Sequence, residues 1–289
     1  MRMHAGEAEI DELLVGRLVA GQFPAWAGLA VREIPSSGTV NAMYRLGEEL
    51  TVRLPLVEGG VSDIAKEHAW VPRLAPYLPV EVPLPVGLGE PSAEYPWPWS
   101  VNRWITGEVP STGDAALGRE LGGLVQAFRA VDLPDAPAAY RGGPLQLQDA
   151  ETRNALEQLE GAIDTSAALA AWEAGLAVLQ TEPDLWLHAD LMPANLLVRE
   201  GRLAAVLDFG CVGTGDPACD LIPAWNLLPA SERDVFRSVV EADDAQWIRG
   251  RARALSMALI QLPYYRETNP GIAANAQHVI DEVLIDFAS

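Results

Sequence analysis

The chain has 289 residues, enough for one large domain or two modest ones, and 49% of them are hydrophobic, as in ordinary globular proteins. Its 40 acidic and 20 basic residues give a net charge of −20, which argues against nucleic acid or an anionic membrane as a partner. The N-terminus does not resemble a signal peptide, and no stretch approaches the roughly eighteen apolar residues of a membrane span. Cys211 and Cys219 fit neither a metal site nor a disulfide framework, so we expect a cytoplasmic protein.

The charge is unevenly distributed along the chain. Residues 1–105 contain 13 acidic and 8 basic residues, whereas residues 106–289 contain 27 and 12. An acidic second half would attract a cationic substrate, although acidity that only keeps the protein soluble explains the composition equally well. Arginine provides 19 of the 20 basic residues, and Lys66 is the only lysine.

The first hundred residues predict a small antiparallel sheet with two helices. Apolar residues recur at helical spacing in 9–20 and 62–76, and the second helix has an N-cap-like Ser62. Three strand-like stretches lie between these helices, and a fourth follows the proline-rich segment 79–98, which predicts a loop and an edge strand: residues 28–34, 41–47, 49–57 and 99–105.

The rest of the chain predicts a mainly helical region. Five alanine- and leucine-rich segments have helical spacing, namely residues 114–131, 149–163, 166–180, 231–262 and 272–288. A short strand–loop–strand section over residues 185–210 interrupts them. A small β-rich part is therefore followed by a larger helical part, with a polar loop early in the second.

That polar loop contains the residues best suited to chemistry. The segment H-A-D-L-M-P-A-N begins at His188, with Asp190 and Asn195 five residues apart, and L-D-F-G follows with Asp208. A carboxylate and an amide at this spacing can point into one cleft, and the hairpin-like segment after them can return a second carboxylate. Phosphoryl transfer needs such a set, because a group must orient the attacking hydroxyl and oxygen ligands must hold Mg²⁺. Each residue alone is also a common turn former, but the combined spacing favours catalysis.

These motifs, together with G-T-G-D-P-A-C-D-L at 213–221, resemble those of the aminoglycoside phosphotransferases and their relatives. The resemblance extends more weakly over most of the chain. It implies an α+β, protein-kinase-like bilobal fold, with a small antiparallel β-sheet N-lobe and a larger, mainly helical C-lobe. Residues 1–105 would form the nucleotide-binding lobe, and residues 106–289 the catalytic and acceptor-binding lobe.

The resemblance also implies roles for individual residues. Asp190 would be the catalytic base, and His188 would brace the loop by hydrogen bonding. Asn195 and Asp208 would hold Mg²⁺. Ala189 departs from the family pattern, which usually has glycine there. Asp216 and Asp220 are expected to be structural, fixing the loop after D-F-G and capping a helix near Leu221.

The nucleotide-binding residues depart from the usual pattern of kinase-like folds, in which a strand lysine pairs with a helix glutamate. Arg53 occupies the strand position, so we expect it to contact the phosphates and Glu67 to hold it; a solvent-facing strand arginine is the alternative. Ser36, Ser37 and Gly38 lie where a phosphate-covering hairpin should be, although an ordinary hairpin turn is as plausible. By resemblance alone, the backbone of Asn102, Arg103 and Trp104 would contact the purine.

The function that the resemblance implies is transfer of the γ-phosphoryl group of ATP or GTP to a hydroxyl of a small molecule. The acidic second half favours a cationic, aminoglycoside-like acceptor. A macrolide, choline, homoserine or sugar kinase is the alternative within the same fold, and an inactive nucleotide-binding module is a further one. A protein kinase is disfavoured, because no A-P-E element follows D-F-G.

Overall fold

The structure, a computed structural model, describes residues 8–34, 40–111 and 117–289. The chain forms two compact units. Unit 1 comprises Met1–Pro76, Glu81–Thr106 and Ala205–Gly210, and unit 2 comprises Tyr77–Val80, Gly107–Ala204 and Cys211–Ser289. Asp208 therefore belongs to the first unit and Asp190 to the second.

Unit 1 is built on a five-stranded antiparallel sheet with the order β1-β2-β3-β5-β4. Its strands are β1 (Val31–Glu33), β2 (Asn41–Leu46), β3 (Leu50–Pro55), β4 (Pro85–Gly89) and β5 (Trp99–Arg103). As expected, the proline-rich stretch provides the edge strand β4, where a missing proline N–H costs no ladder hydrogen bond.

Alternation along β3 gives the sheet two different faces. Val52 lies opposite Tyr44 and Val101 in the neighbouring strands, and all three are buried in an apolar core with helix α1 (Glu12–Gln22). Arg53 is the next residue, so its side chain projects to the other face, where its neighbours are Met43 and Ser100.

Helix α2 (Val61–Leu74) carries Glu67. Its N-cap is Gly60, with no side-chain capping bond, so the prediction that Ser62 caps this helix is wrong. The helix instead follows directly from a short 3₁₀ turn, Glu58–Gly60, whose hydrogen bonds lead into the first α-helical turn.

Unit 2 is mainly helical. Its helices are α3 (Leu117–Arg129), α4 (Asp149–Gln158), α5 (Thr165–Leu176), α6 (Pro223–Asn226), α7 (Ala230–Val240), α8 (Asp244–Tyr265) and α9 (Pro270–Ala288). Strands β6 (Leu185–Leu187) and β9 (Gly213–Gly215) form an antiparallel pair, and β7 (Leu196–Arg199) pairs with β8 (Arg202–Val206).

The helix predicted over residues 231–262 is two helices. Glu241 adopts a left-handed φ of 57° and ends α7, and Asp243 then caps α8 by accepting the N–H of Gln246 at 2.7 Å. The alanine-rich pattern runs through this break, which is why periodicity alone did not reveal it.

Helix α8 passes through the core of unit 2. Most of its middle turns are buried, and it packs closely on α5, where a Cβ added to Gly175 would lie 2.1 Å from the Cβ of Ala252. No helix in the described ranges is both long and apolar enough to cross a membrane.

Candidate active site

Arg53 lies at the centre of an ionic cluster in unit 1. Its Nη1 donates to Glu67 Oε1 at 2.6 Å, and its Nη2 donates to Asp208 Oδ1 at 3.2 Å. With its oxygen turned toward the guanidinium, the Asn41 amide accepts from Nη2 at 2.9 Å and from Nε at 3.2 Å. The arginine therefore projects into a polar cluster and not into solvent.

Burial controls the electrostatics of this cluster. It raises the pKa of the Glu67 carboxyl to about 7, and Asp208 adds to the rise while Arg53 opposes it. Burial lowers the pKa of the Arg53 guanidinium, but Glu67 and Asp208 outweigh that effect and raise it above its ordinary value. The charge of Arg53 thus favours the ionised form of Glu67 against the cost of its burial.

Glu67 also holds the D-F-G segment. Its Oε1 accepts the N–H of Phe209 at 2.8 Å, and Asp208 adopts a left-handed φ of 58° just before it. At Gly210 a Cβ would lie 2.9 Å from Asp63 Cγ, so only glycine allows this close approach. Helix α2, strand β3 and the D-F-G segment thus converge on one carboxylate.

In unit 2, Asp190 and Asn195 are in direct contact. The Asn195 Nδ2 donates to the Asp190 main-chain oxygen and to Asp190 Oδ2, both at 2.9 Å. These contacts fix the orientation of the Asn195 amide and direct its Oδ1 away from the Asp190 carboxylate. The five-residue spacing closes through a 3₁₀ turn at Pro193–Asn195.

The loop before Asp190 is held from behind by Asp220. The two oxygens of this buried carboxylate accept the N–H groups of His188 and Ala189, each at 2.8 Å. Burial raises the pKa of the Asp220 carboxyl, although His188 and these N–H groups partly oppose the rise. Asp220 therefore supports the loop that carries Asp190 and not, as predicted, the loop after D-F-G.

Ala189 has a backbone conformation that favours glycine. Its φ is 65°, in the left-handed region that costs an alanine about 1 kcal/mol or more. Two neighbouring bonds hold the strained backbone: the Ala189 N–H to Asp220, and the Asp190 N–H to His188 Nδ1 at 3.3 Å. His188 is buried and makes the bracing contact expected of it, while its effect on catalysis stays a prediction.

Asp216 differs from Asp220 in its partners. It caps the 3₁₀ helix Pro217–Leu221 through the N–H of Ala218 at 2.9 Å, one turn earlier than the predicted cap near Leu221. Its carboxylate also pairs with the buried Arg249 and Arg253 of α8, at 3.1 and 3.4 Å. Asp216 is thus structural, as expected, but it anchors helix α8.

Arg141 is a residue at the site that the sequence did not reveal. Its Nε lies 3.4 Å from Asp190 Oδ1. Burial lowers the pKa of its guanidinium, but Asp190, followed by Cys211, Cys219 and Tyr140, outweighs that effect and raises it. It lies in the irregular segment Y-R-G-G-P, where neither periodicity nor a motif distinguishes it from a surface arginine.

The predicted purine-contacting segment is largely engaged within unit 1. The N–H groups of Arg103 and Trp104 donate to the main-chain oxygens of Leu84 and Glu49, both at 2.8 Å. Asn102 is buried in β5 opposite Thr51. These two donors are therefore not available to a base, and the hypothesis is corrected on this point. Ser36, Ser37 and Gly38 lie outside the described residues.

Oxygen donors suitable for Mg²⁺ are present at both predicted positions. Asn195 Oδ1 is directed away from Asp190, and the Asp208 side chain is 43% exposed. Within the described ranges, no group of three or more His, Cys, Asp or Glu could hold a metal ion. A carboxylate oxygen and an amide oxygen are both donor types that Mg²⁺ accepts, and the ion commonly takes its remaining ligands from phosphate and water.

Comparison with known proteins places these observations in a family. The model of the phosphotransferase enzyme family, APH, matches residues 31–255. No curated protein sequence matches the chain significantly.

Several solved structures share the fold at low sequence identity. The GDP and kanamycin complex of APH(2")-IIia is 17% identical with a TM-score of 0.74, covering 95% of this chain and 99% of that one. Macrolide 2'-phosphotransferase MphH from Brachybacterium faecium is 22% identical with a TM-score of 0.62, covering 94% and 97%. These likenesses confirm the predicted protein-kinase-like α+β fold. The family model spans well over half of the residues of this chain. The chain therefore belongs to the phosphotransferase enzyme family.

Proposed function

We propose that this protein transfers the γ-phosphoryl group of ATP or GTP to a hydroxyl of a small, cationic, aminoglycoside-like acceptor. The contact between Asp190 and Asn195 carries the proposal. A carboxylate is held by an amide whose oxygen remains directed elsewhere, and this pairing suits a hydroxyl-orienting base beside a cation ligand.

In the proposed reaction, residues of each unit have separate roles. Asp190 accepts the proton of the acceptor hydroxyl. The hydroxyl oxygen bonds to the γ-phosphorus as the bond from that phosphorus to the leaving nucleoside diphosphate breaks. Arg53, held by Glu67, binds the nucleotide phosphates. Asn195 and Asp208 would hold Mg²⁺, which when bound neutralises phosphate charge. His188 keeps the Asp190 loop in place.

The cationic character of the acceptor rests on the charge of the chain. Residues 106–289 contain 27 acidic and 12 basic residues. Several of these carboxylates are already engaged within unit 2: Glu282 pairs with Arg233, Asp244 pairs with Arg237, and Asp243 caps α8. The attraction would therefore come from the overall field of the protein, which raises the local concentration of a cation.

The test is a nucleoside-diphosphate release screen with ATP and GTP. The acceptors are aminoglycosides, macrolides, choline, homoserine and sugars, and mass spectrometry identifies the phosphorylated product. We expect turnover with an aminoglycoside, and a loss of about 100-fold or more in kcat for Asp190→Asn with nucleotide affinity retained.

The matched control is Asp184→Asn, which changes an exposed carboxylate of the same unit that accepts a hydrogen bond from Gln180. Turnover confined to an uncharged acceptor would refute the cationic class. An Asp190→Asn variant as active as Asp184→Asn would remove Asp190 from its role, and no turnover by the wild type would favour the inactive module.

A further inference from the structure

Arg141 lies on a loop that is fixed against strand β9. The N–H of Ala139 donates to Thr214 O at 2.9 Å, and the N–H of Tyr140 donates to Cys211 O at 3.1 Å. After Arg141, Gly142 O accepts the N–H of Asp216 at 2.8 Å. Main-chain bonds on both sides therefore hold residues 139–142 in one path.

Buried side chains also fix the backbone of Arg141 itself. Arg253, which is completely buried, donates through Nη1 to the main-chain oxygen of Arg141 and through Nη2 to that of Gly143 at 2.9 Å. Cys219 Sγ donates to the same Arg141 oxygen at 3.5 Å. Arg253 is also paired with Asp216, so one buried guanidinium of helix α8 holds the main chain at residue 141.

The Arg141 side chain reaches Asp190 without forming a hydrogen bond to it. Nε lies 3.4 Å from Asp190 Oδ1, and this Nε is buried and makes no hydrogen bond in the described structure. The other carboxylate oxygen, Oδ2, accepts from Asn195. Asp190 Oδ1 is thus attracted by the positive charge of Arg141, while its lone pairs accept no hydrogen bond from the Arg141 Nε–H.

We propose that Arg141 is a positioning residue that holds Asp190 Oδ1 toward the acceptor hydroxyl. This inference rests on the proposed function, in which Asp190 receives the hydroxyl proton. Asn195 fixes one oxygen of the carboxylate by a hydrogen bond, and Arg141 fixes the other by charge. The carboxylate cannot then rotate freely, and Oδ1 remains able to accept the proton.

The experiment compares Arg141→Met with Arg141→Lys. Methionine keeps much of the side-chain volume but removes the charge, so we expect kcat to fall about 10- to 100-fold because the carboxylate is less well oriented. The KM values for nucleotide and acceptor should stay within about 3-fold. Lysine restores the charge and should recover most of kcat.

A double-mutant cycle tests whether Arg141 acts through Asp190. In the Asp190→Asn background, Arg141→Met should produce no further loss, since the group that it orients is gone. The control is Arg153→Met, which removes an arginine paired with Asp149 and Glu173 in the same unit and should leave kcat unchanged.

Three results would overturn the inference: an unchanged kcat in Arg141→Met, a loss that lysine does not recover, or a loss fully additive with Asp190→Asn. Failure of the proposed function is distinguishable, because the wild type would then show no phosphoryl transfer with any acceptor and both proposals would fall.

Discussion

Arg53 occupies the strand position at which kinase-like folds use a lysine. Its two terminal nitrogens bind different carboxylates, Glu67 at 2.6 Å and Asp208 at 3.2 Å. An ammonium is a single point charge, whereas the guanidinium presents its donors in a planar fork. Arg53 therefore connects Glu67 of helix α2 to Asp208 of the D-F-G segment, and its positive charge lies between the two carboxylates.

We expect Arg53→Met to destabilise the protein by about 3–5 kcal/mol, because it leaves a buried carboxylate without its counter-ion. It should also weaken nucleotide binding. Arg53→Lys should retain part of the stability and affinity, since one cation cannot make both contacts with the same geometry. Urea denaturation and nucleotide titration measure the two effects.

The matched control for Arg53 is Arg17→Met, which removes an arginine with an exposed side chain paired with Glu94. Such exposed pairs contribute at most about 1 kcal/mol. If Arg53→Met bound nucleotide as well as Arg17→Met does, the assignment of Arg53 to the phosphates would be wrong.

At the scale of elements, the segment that carries Asp190 has no helix or strand at residues 188–190. A carboxylate from the 3₁₀ helix Pro217–Leu221 supplies the acceptors that a sheet or helix would otherwise provide. Because buried N–H groups need hydrogen-bond acceptors, the Asp220 oxygens serve here in place of the main-chain oxygens of a neighbouring strand.

Replacing this carboxylate tests its role. Asp220→Ala leaves two buried N–H groups unpaired, and we expect a loss of about 2–5 kcal/mol in the free energy of unfolding. If that variant does not fold, Asp220→Asn keeps one acceptor and should fold with reduced kcat. Denaturant unfolding and steady-state kinetics provide the readouts.

Asp164→Ala is the comparison, because Asp164 accepts one N–H at the start of α5 on the surface. Loss of such a cap costs about 1 kcal/mol. Equal losses of stability for Asp220→Ala and Asp164→Ala would contradict the structural assignment of Asp220.

At the scale of the whole molecule, buried phenols should make stability depend on alkaline pH. Burial, followed by Glu33, Asp11 and Glu12, raises the pKa of Tyr44 to about 12, and burial also raises the pKa of Tyr95. The unfolded chain loses these protons near pH 10, whereas the folded chain retains them. The folded state then binds more protons, so stability falls as pH rises from 10 to 12.

We expect Tyr44→Phe to remove on the order of 2 kcal/mol of this pH-dependent loss. Its hydroxyl donates to Ile10 O at 3.0 Å, so the variant will also shift stability at neutral pH, and the measured quantity is the slope against pH. Tyr140→Phe, at a residue that is 77% exposed, should leave the slope unchanged. Equal slopes for wild type and Tyr44→Phe would refute the prediction.

The parts that were predictable from the sequence are those with local signals. Asp190, Asn195 and Asp208 belong to short motifs, and the strands around Arg53 alternate clearly. The break between α7 and α8 was missed because Glu241, not a glycine, takes the left-handed conformation there. Ser62 does not cap helix α2, because the preceding 3₁₀ turn continues directly into the helix.

The motif residues could be read from the sequence because they lie in short local motifs, and the family resemblance that these motifs carry implied the protein-kinase-like fold. Which side chains contact each other could be seen only in three dimensions. Arg141 lies 49 residues before Asp190, and Asp220 lies 30 residues after it. Contacts across such separations depend on the packing of a loop, a 3₁₀ helix and helix α8, which no local pattern encodes.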